Sequence, residues 1–381
     1  MNNYANNFIM NDEQRDILEI ATKILDKELA PRVEELDHKG EFPMDVFKTL
    51  YEAGLYAIEL PEKYGGLGAS FETQFMLNEV MAHYDSGFAF SFHAGSMSAD
   101  CIFIGGTEEQ KQVAADNLLA GHMYAFCLTE PGAGSDAAAT ATTAKLEGDE
   151  WVLNGTKTFI SCGETAEHFV VAATVDKTLK MKGITLFLVD KAHGPQIGKH
   201  EDKMGLRLSP TNEVIFDNVR IPKENLIGEV GAGFKVIMKN MEAVRPQSMT
   251  FAVGIMQRAL DEAVKFAKER TSFGMPIIKF QGLGFLLADM MKLTQVSRAS
   301  LMYIAKLLDD GKPLNGLGSS TKIFVSESAS QVASHAVQVL GGYGYMREYP
   351  VEKLMRDAKI FEIFEGTNQI QQVVLSSMLS R

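Results

Sequence analysis

The sequence is poor in cysteine, lacks long apolar runs and is short of positive charge. Only three of its 381 residues are cysteines, Cys101, Cys127 and Cys162, far apart and with no Cys-x-x-Cys pair. An odd, scattered set supports neither a disulfide framework nor a zinc site, and a reducing cytoplasm is the natural setting. No uncharged apolar run approaches the roughly 20 residues that span a bilayer, so no membrane association is expected. Residues 1–10 are polar and rich in Asn, without the basic and apolar regions of a signal peptide. Asp and Glu number 49 against 37 Lys and Arg, a formal net charge of −12. That balance argues against a nucleic-acid partner, whose phosphates need clustered cations. It still permits an anionic small ligand held by a few local basic groups. With 46% hydrophobic and 23% charged residues, the chain has the composition of a folded protein of two or three domains, which excludes disorder as its overall state.

Three segments differ in pattern. In the first, Asn11 precedes Asp12 and Glu13, a cap and an acidic first turn. Ile17, Leu18, Ala21, Ile24, Leu25 and Leu29 then recur at helical spacing until Pro31. Further helical stretches give a helical domain over 1–120. The second segment, 121–228, reads as a β domain. Gly-Asp at 148–149 and Asn-Gly at 154–155 are hairpin-turn signals between short alternating runs. Residues 168–175, 183–189, 213–216 and 219–221 are apolar runs of strand length. The third segment, 229–381, returns to long helices. Met249, Ala252, Val253, Met256, Ala259, Leu260, Ala263 and Phe266 share one face, and 286–308 and 323–340 carry the same period. Such helices suit a bundle, including one that packs against another subunit.

Three motifs carry chemistry. Residues 127–136, Cys-Leu-Thr-Glu-Pro-Gly-Ala-Gly-Ser-Asp, combine glycines with the hydroxyls of Thr129 and Ser135. A backbone this open can approach a planar heteroaromatic ring or a phosphate; a turn-rich border between domains reads equally well. The Rossmann and Walker patterns are absent here, which speaks against nicotinamide or ATP. Residues 338–348, Gln-Val-Leu-Gly-Gly-Tyr-Gly-Tyr-Met-Arg-Glu, end a helix in a glycine turn, and alone they read as a helix–loop–helix corner. Residues 361–370, Phe-Glu-Ile-Phe-Glu-Gly-Thr-Asn-Gln-Ile, place Glu365 at a helix end beside an aromatic residue. A carboxylate in an apolar pocket acquires a raised pKa and serves as a base near neutrality, although most Glu residues are solvated surface groups.

In order and spacing, the three motifs and the α-β-α layout resemble the acyl-CoA dehydrogenase family over nearly the whole chain. The Leu-Thr-Glu-Pro-Gly-Ala-Gly-Ser-Asp run is similar to its first signature. The Gln-x-x-Gly-Gly-x-Gly run, continuing through Arg347, Glu348, Lys353 and Asp357, is similar to its second. Phe-Glu-Gly-Thr is similar to the Tyr-Glu-Gly-Thr of its catalytic segment. The resemblance implies an α+β fold: an N-terminal helical domain, a central β-barrel-like domain and a C-terminal four-helix bundle. It implies FAD as cofactor and dehydrogenation of an acyl-CoA thioester to a trans-2-enoyl-CoA, as in the β-oxidation of fatty acids. An electron-transfer flavoprotein would take the electrons. It also implies a homotetramer, a dimer of dimers.

Residue by residue, the resemblance implies that Phe126, Leu128 and Thr129 line the flavin ring, with Ser135 near the FAD phosphates and the CoA moiety. Phe159 and Ser161 stand where family members usually have Trp and Thr. Arg270, Ser272, Phe273 and Gln281, with Gln338, Gly341 and Gly342, would reach the cofactor of a neighbouring subunit, and Thr367 and Gln369 would approach it near the base. Glu365 would be the catalytic base, with Glu242, Arg245 and Gly366 at the substrate. Some relatives carry the base one residue before this arginine, but Val244 stands there. Phe88, Phe90 and Phe92 align with the floor of the acyl pocket and suggest a short one; core packing accounts for these rings equally well. Two other readings remain: an enoyl-CoA reductase running the reaction backwards in an electron-transfer flavoprotein complex, and a catalytically silent CoA-binding scaffold.

Overall fold

The computed structural model describes residues 8–380; residues 1–7 of the polar N-terminal segment lie outside them. Helix α1 (Asp12–Glu28) begins at Asn11, whose Oδ1 accepts from the Gln14 amide at 2.8 Å while its own amide donates to Gln14 Oε1 at 3.0 Å. This reciprocal cap satisfies two otherwise orphaned donors. Ile17, Leu18, Ala21 and Leu25 are buried along one face. Then come α2 (Val33–Lys39), α3 (Met44–Glu52), α4 (Phe71–Tyr84), α5 (Ser86–Met97), α6 (Asp100–Gly105) and α7 (Glu108–Leu119). Every residue of α5 is buried, so this helix is the centre of the N-terminal part.

The strands are β1 (Tyr124–Cys127), β2 (Thr143–Glu147), β3 (Glu150–Ser161), β4 (His168–Thr174), β5 (Ile184–Asp190), β6 (Gln196–His200), β7 (Thr211–Pro222) and β8 (Leu226–Ile227). They form one sheet in the order β6-β7-β3-β2-β4-β5-β8, with β1 parallel to β4. The apolar run of β4 is buried on both faces. Phe169, Val171 and Ala173 face a core inside the β part, while Val170 and Ala172 join the helical core. Side chains alternate along a strand, so a strand covered on both sides reads as continuously apolar.

Two details differ from the sequence reading. Residues 148–149 do turn between β2 and β3, but Asn154-Gly155 lies inside β3, at a shift of register against β7. A Cβ on Gly155 would sit 2.4 Å from the Thr142 hydroxyl, so this glycine serves close approach rather than a turn. The runs at 213–216 and 219–221 belong to a single strand, β7. Asn218 (φ 51°) accommodates the irregularity, and its amide donates to Asn154 Oδ1 at 2.9 Å.

Helix α8 (Gly233–Glu269) is followed by the small ribbon β9 (Thr271–Ser272) and β10 (Met275–Pro276). Next come α9 (Gln281–Asp309), α10 (Leu317–Leu340), α11 (Val351–Ala358) and α12 (Asn368–Leu379). Residues 246–256 of α8 are buried without interruption, which makes α8 the axis of the C-terminal bundle. One buried ionic cluster joins all three parts. Lys353 Nζ of α11 lies 2.6 Å from Asp85 and 2.5 Å from Asp357. Asp85 caps α5 through the Phe88 amide, and Asp357 accepts the Leu206 amide of the β part at 2.7 Å. Among the described residues no helix is long and apolar enough to cross a membrane, and all three cysteines are buried and free.

Candidate active site

Glu365 sits in the turn that enters α12. Thr367 caps that helix, its Oγ1 accepting from the Ile370 amide at 3.2 Å. Glu365 and Gly366 both have left-handed backbones, with φ of 54° and 83°. For a residue with a Cβ this costs on the order of 1–3 kcal/mol, and it persists only where neighbours hold it. Gln371 does so: its amide nitrogen donates to the carbonyls of both Glu365 and Gly366 at 3.3 Å, and its Oε1 accepts from Ser319 Oγ of α10 at 2.8 Å. A Cβ at position 366 would lie 2.6 Å from that nitrogen, so the glycine is required.

Part of Glu365 remains open to solvent, yet desolvation is the leading influence on its carboxyl and raises its pKa. Arg245 of α8 and Lys322 of α10 pull it back down. Arg245 itself is pushed below the ordinary guanidinium range by burial, and its Nε is a buried donor with no acceptor among the described residues. Glu242, one turn before it, is exposed. The backbone N–H of Glu365 also donates to no protein acceptor among the described residues. A carboxylate with a raised pKa, an unengaged backbone donor and a buried arginine together can take a proton and stabilise the negative charge left behind.

Next to Glu365 in sequence, the Phe364 ring lies 5.1 Å from Phe361 and 5.1 Å from Phe90, and Phe90 meets Phe251 of α8 at 5.8 Å. Phe88 instead packs on Phe42 (5.5 Å), and Phe92 on Phe47 and Tyr56 (5.6 and 5.4 Å). Of Phe88, Phe90 and Phe92, Phe90 is the one whose ring meets Phe364, next to Glu365.

A second group lies on the β part. Lys157 Nζ, fully buried, donates to the Leu128 carbonyl at 2.9 Å and to Glu130 at 2.7 Å. Glu130 in turn accepts the amides of Ala141 and Thr142, and the Thr158 amide donates to the Thr129 carbonyl at 2.9 Å. These bonds fix Leu128 and Thr129 against the segment carrying Phe159 and Ser161. Phe159 is 64% exposed at φ 57°, so no packing within the chain explains its ring. A Cβ on Gly132 or Gly134 would meet nothing within 4 Å. Phe126 and Leu128 are half-buried against the same core as Phe364, whereas Ser135 is exposed.

A third group lies on the surface of the bundle. The Arg270 guanidinium is 5.5 Å from the Tyr343 ring centroid, which brings it to the 341–345 turn. Arg270, Phe273, Gln281, Gln338, Gly341 and Gly342 are all exposed, Phe273 at 91%. Thr367 and Gln369 lie at the start of α12, Gln369 exposed. Among the described residues, no hydrogen bond, ion pair or ring contact joins Arg270, Phe273, Gln281, Gln338, Gly341 or Gly342 to the other two groups. Sequence reasoning missed Lys157, Lys322, Asn368 and Gln371. The available signal was that Lys157 is the one lysine or arginine of β3, and Lys322 the one of α10.

The chain is similar to known proteins over nearly its whole length. The chain matches family models for the acyl-CoA dehydrogenase N-terminal domain (residues 11–122), middle domain (125–219) and C-terminal domain (231–378). Its backbone superimposes on butyryl-CoA dehydrogenase from Megasphaera elsdenii with a TM-score of 0.95, at 39% identity, covering 98% of this chain and 100% of that one. It is 38% identical over 372 residues to a 3-(aryl)acrylate reductase of Clostridium sporogenes, covering 96% of this chain and 98% of the relative. It is 37% identical over 373 residues to a caffeyl-CoA reductase-Etf complex subunit of Acetobacterium woodii, covering 97% and 98%. Helices on either side of a β part, with these family matches, define the class as an oxidoreductase of mixed helix-and-sheet fold. The chain belongs to the acyl-CoA dehydrogenase family.

Proposed function

We propose that this protein removes two hydrogens from the α and β carbons of an acyl-CoA thioester, giving the trans-2-enoyl-CoA, with FAD as cofactor and Glu365 as base. The observation that carries this reading is the Glu365 turn: a carboxylate with a raised pKa beside a backbone N–H free to bind an oxygen.

The residues present fit a flavin. The pinned Leu128–Thr129 backbone offers polar edges for a ring, and the Phe159 face awaits a partner. The open glycines and Ser135 suit phosphates. Phe126 and Ser161 complete that wall, and Thr367 and Gln369 lie on the side of the base. Arg270, Phe273, Gln281, Gln338, Gly341 and Gly342, exposed on the bundle, would complete the cofactor site of a second copy, which makes the functional unit at least a dimer and, by family, a tetramer. The bound flavin supplies a two-electron acceptor for the hydride that leaves the β-carbon.

The protein's own residues then do the following. The Glu365 N–H donates to the thioester carbonyl and stabilises the charge that develops on it. The carboxylate takes the α-proton, and the Phe90–Phe364 wall keeps water from the site. Arg245, with Glu242 one turn away, faces the substrate side, and Gly366 lets the chain pass close to it. The wall favours short acyl groups. An electron-transfer flavoprotein is the proposed acceptor, and the cytoplasm the proposed location.

A second reading concerns direction. Two relatives of this chain are named as reductases, and one active site serves both directions. An anaerobic titration of the purified protein with butyryl-, octanoyl-, palmitoyl- and an arylpropionyl-CoA, following flavin absorbance, tests both. Bleaching by butyryl-CoA supports oxidation of short chains. Re-oxidation of the reduced protein by an arylacryloyl-CoA, with no bleaching by saturated thioesters, favours the reductase. A colourless protein that FAD does not reconstitute refutes the assignment of FAD.

A further inference from the structure

Beneath the base lies a cation that the proposed reaction does not itself use. Lys322, in the second turn of α10, is fully buried. Its ammonium has three protons to donate, yet Asn368 Oδ1, at 2.7 Å, is its one hydrogen-bond partner among the described residues, and no carboxylate pairs with it there. Asn368 is the first residue of α12, three positions beyond Glu365. Its Oδ1 also accepts from Ser326 Oγ at 3.1 Å, one turn further along α10. Ser319, one turn before Lys322, holds the Gln371 clamp on the Glu365 and Gly366 carbonyls. One face of α10 therefore grips the turn carrying the base at two points, and the middle of that face is a positive charge.

Stability does not explain this lysine. A buried charge with a single hydrogen bond is costly, and an apolar side chain of similar volume in its place is often neutral or stabilising. Asn368 Oδ1 would still have Ser326 as a donor after such a replacement.

We propose that Lys322 is a positioning residue whose charge, fixed by Asn368 under the Glu365 turn, keeps the base ionised in the free enzyme. The inference rests on Glu365 being the base. Burial raises the Glu365 carboxyl, and among the described residues two cations oppose it, Arg245 from α8 and Lys322 from α10. Arg245 also feels Glu242. Lys322 faces the interior and feels Glu362 of the turn before the base and Glu327 of its own helix, and burial lowers its own pKa to about 8. At neutral pH it therefore still carries most of its charge, supplied from the buried face of α10.

Three variants separate charge from contact. Lys322→Gln keeps a donor for Asn368 and removes the charge; Lys322→Met removes both; Lys322→Arg keeps the charge. The first readout is infrared difference titration of the substrate-free, FAD-loaded protein, with the Glu365 carboxyl band assigned by its absence in Glu365→Gln. The second is the acid limb of the rate of flavin bleaching by butyryl-CoA. An opposite charge near a carboxylate typically depresses its pKa by about 1–3 units, so Lys322→Gln and Lys322→Met should move both midpoints up by about one unit or more. Lys322→Arg should leave them near the wild-type position. Should Met disturb packing, Gln gives the same reading. Unmoved midpoints in a folded Gln or Met variant overturn the proposal while leaving Glu365 as the base. A Glu365→Gln protein that bleaches at the normal rate overturns the base assignment itself.

Discussion

Replacing Glu365 by Gln tests the proposed chemistry at one atom pair. Glutamine has nearly the same shape and keeps the backbone N–H, so the left-handed turn and the Gln371 clamp on its carbonyl remain. What disappears is the ability to accept a proton. Loss of a general base typically slows a reaction by about 10²–10⁴-fold, roughly 2.7–5.5 kcal/mol of barrier. The protein should not lose stability in exchange. Burial raises the carboxyl's folded pKa above its unfolded value, so its contribution to stability is fully present below the unfolded pKa and is lost as pH rises through the folded one. A neutral amide removes the ionisation that burial opposes. The variant should therefore bind FAD, melt at or above the wild-type temperature at pH 7, and bleach slowly with butyryl-CoA under anaerobic conditions. Stopped-flow absorbance gives the rate, and thermal melts of both proteins across pH give the stability. A bleaching rate within a few-fold of wild type would falsify the base assignment, whatever the melts show.

Three further outcomes follow from the geometry. Phe90→Val should open the wall facing Phe364 and raise kcat/KM for octanoyl-CoA relative to butyryl-CoA by about tenfold or more, since a few methylenes in an apolar pocket are worth ~1–3 kcal/mol; Phe88→Val, whose ring packs on Phe42, should change stability without changing that ratio, and equal ratios in the two variants would count against the wall. Lys353→Met strands the buried carboxylates of Asp85 and Asp357 and should cost about 3–5 kcal/mol of stability, read by denaturant unfolding; a loss below about 1 kcal/mol would show that the cluster is not a joint between the three parts. Arg270→Ala changes an exposed residue and should leave helix content by circular dichroism intact while releasing FAD on gel filtration; full retention of cofactor would remove Arg270 from the site.

Much of this was legible in the chain itself, because local physics wrote it there. Asn11 with Gln14 specifies the start of α1. The 148–149 turn specifies the β2–β3 hairpin, and helical periodicity marks α8, α9 and α10. The three short motifs pointed to Glu365 and to the segments around Thr129 and Gly341 only through their joint resemblance to the family; taken singly, each reads as well as an ordinary turn, corner or surface group. The strand pattern misled at 154–155, where Asn-Gly signals a turn by its backbone freedom but is used for close passage beside Thr142.

What the tertiary structure alone decided is which groups converge. Arg245 and Lys322 come to Glu365 from two different helices, and no spacing in the sequence links the three. Phe88 and Phe92 lie four residues apart and share one face of α5, while Phe90, two residues from each, points to another. Since α5 is buried on every side, its sequence has no polar face to show which ring meets the base. Residue type and period fix what a segment becomes; the packing of one helix against the next fixes what its side chains touch.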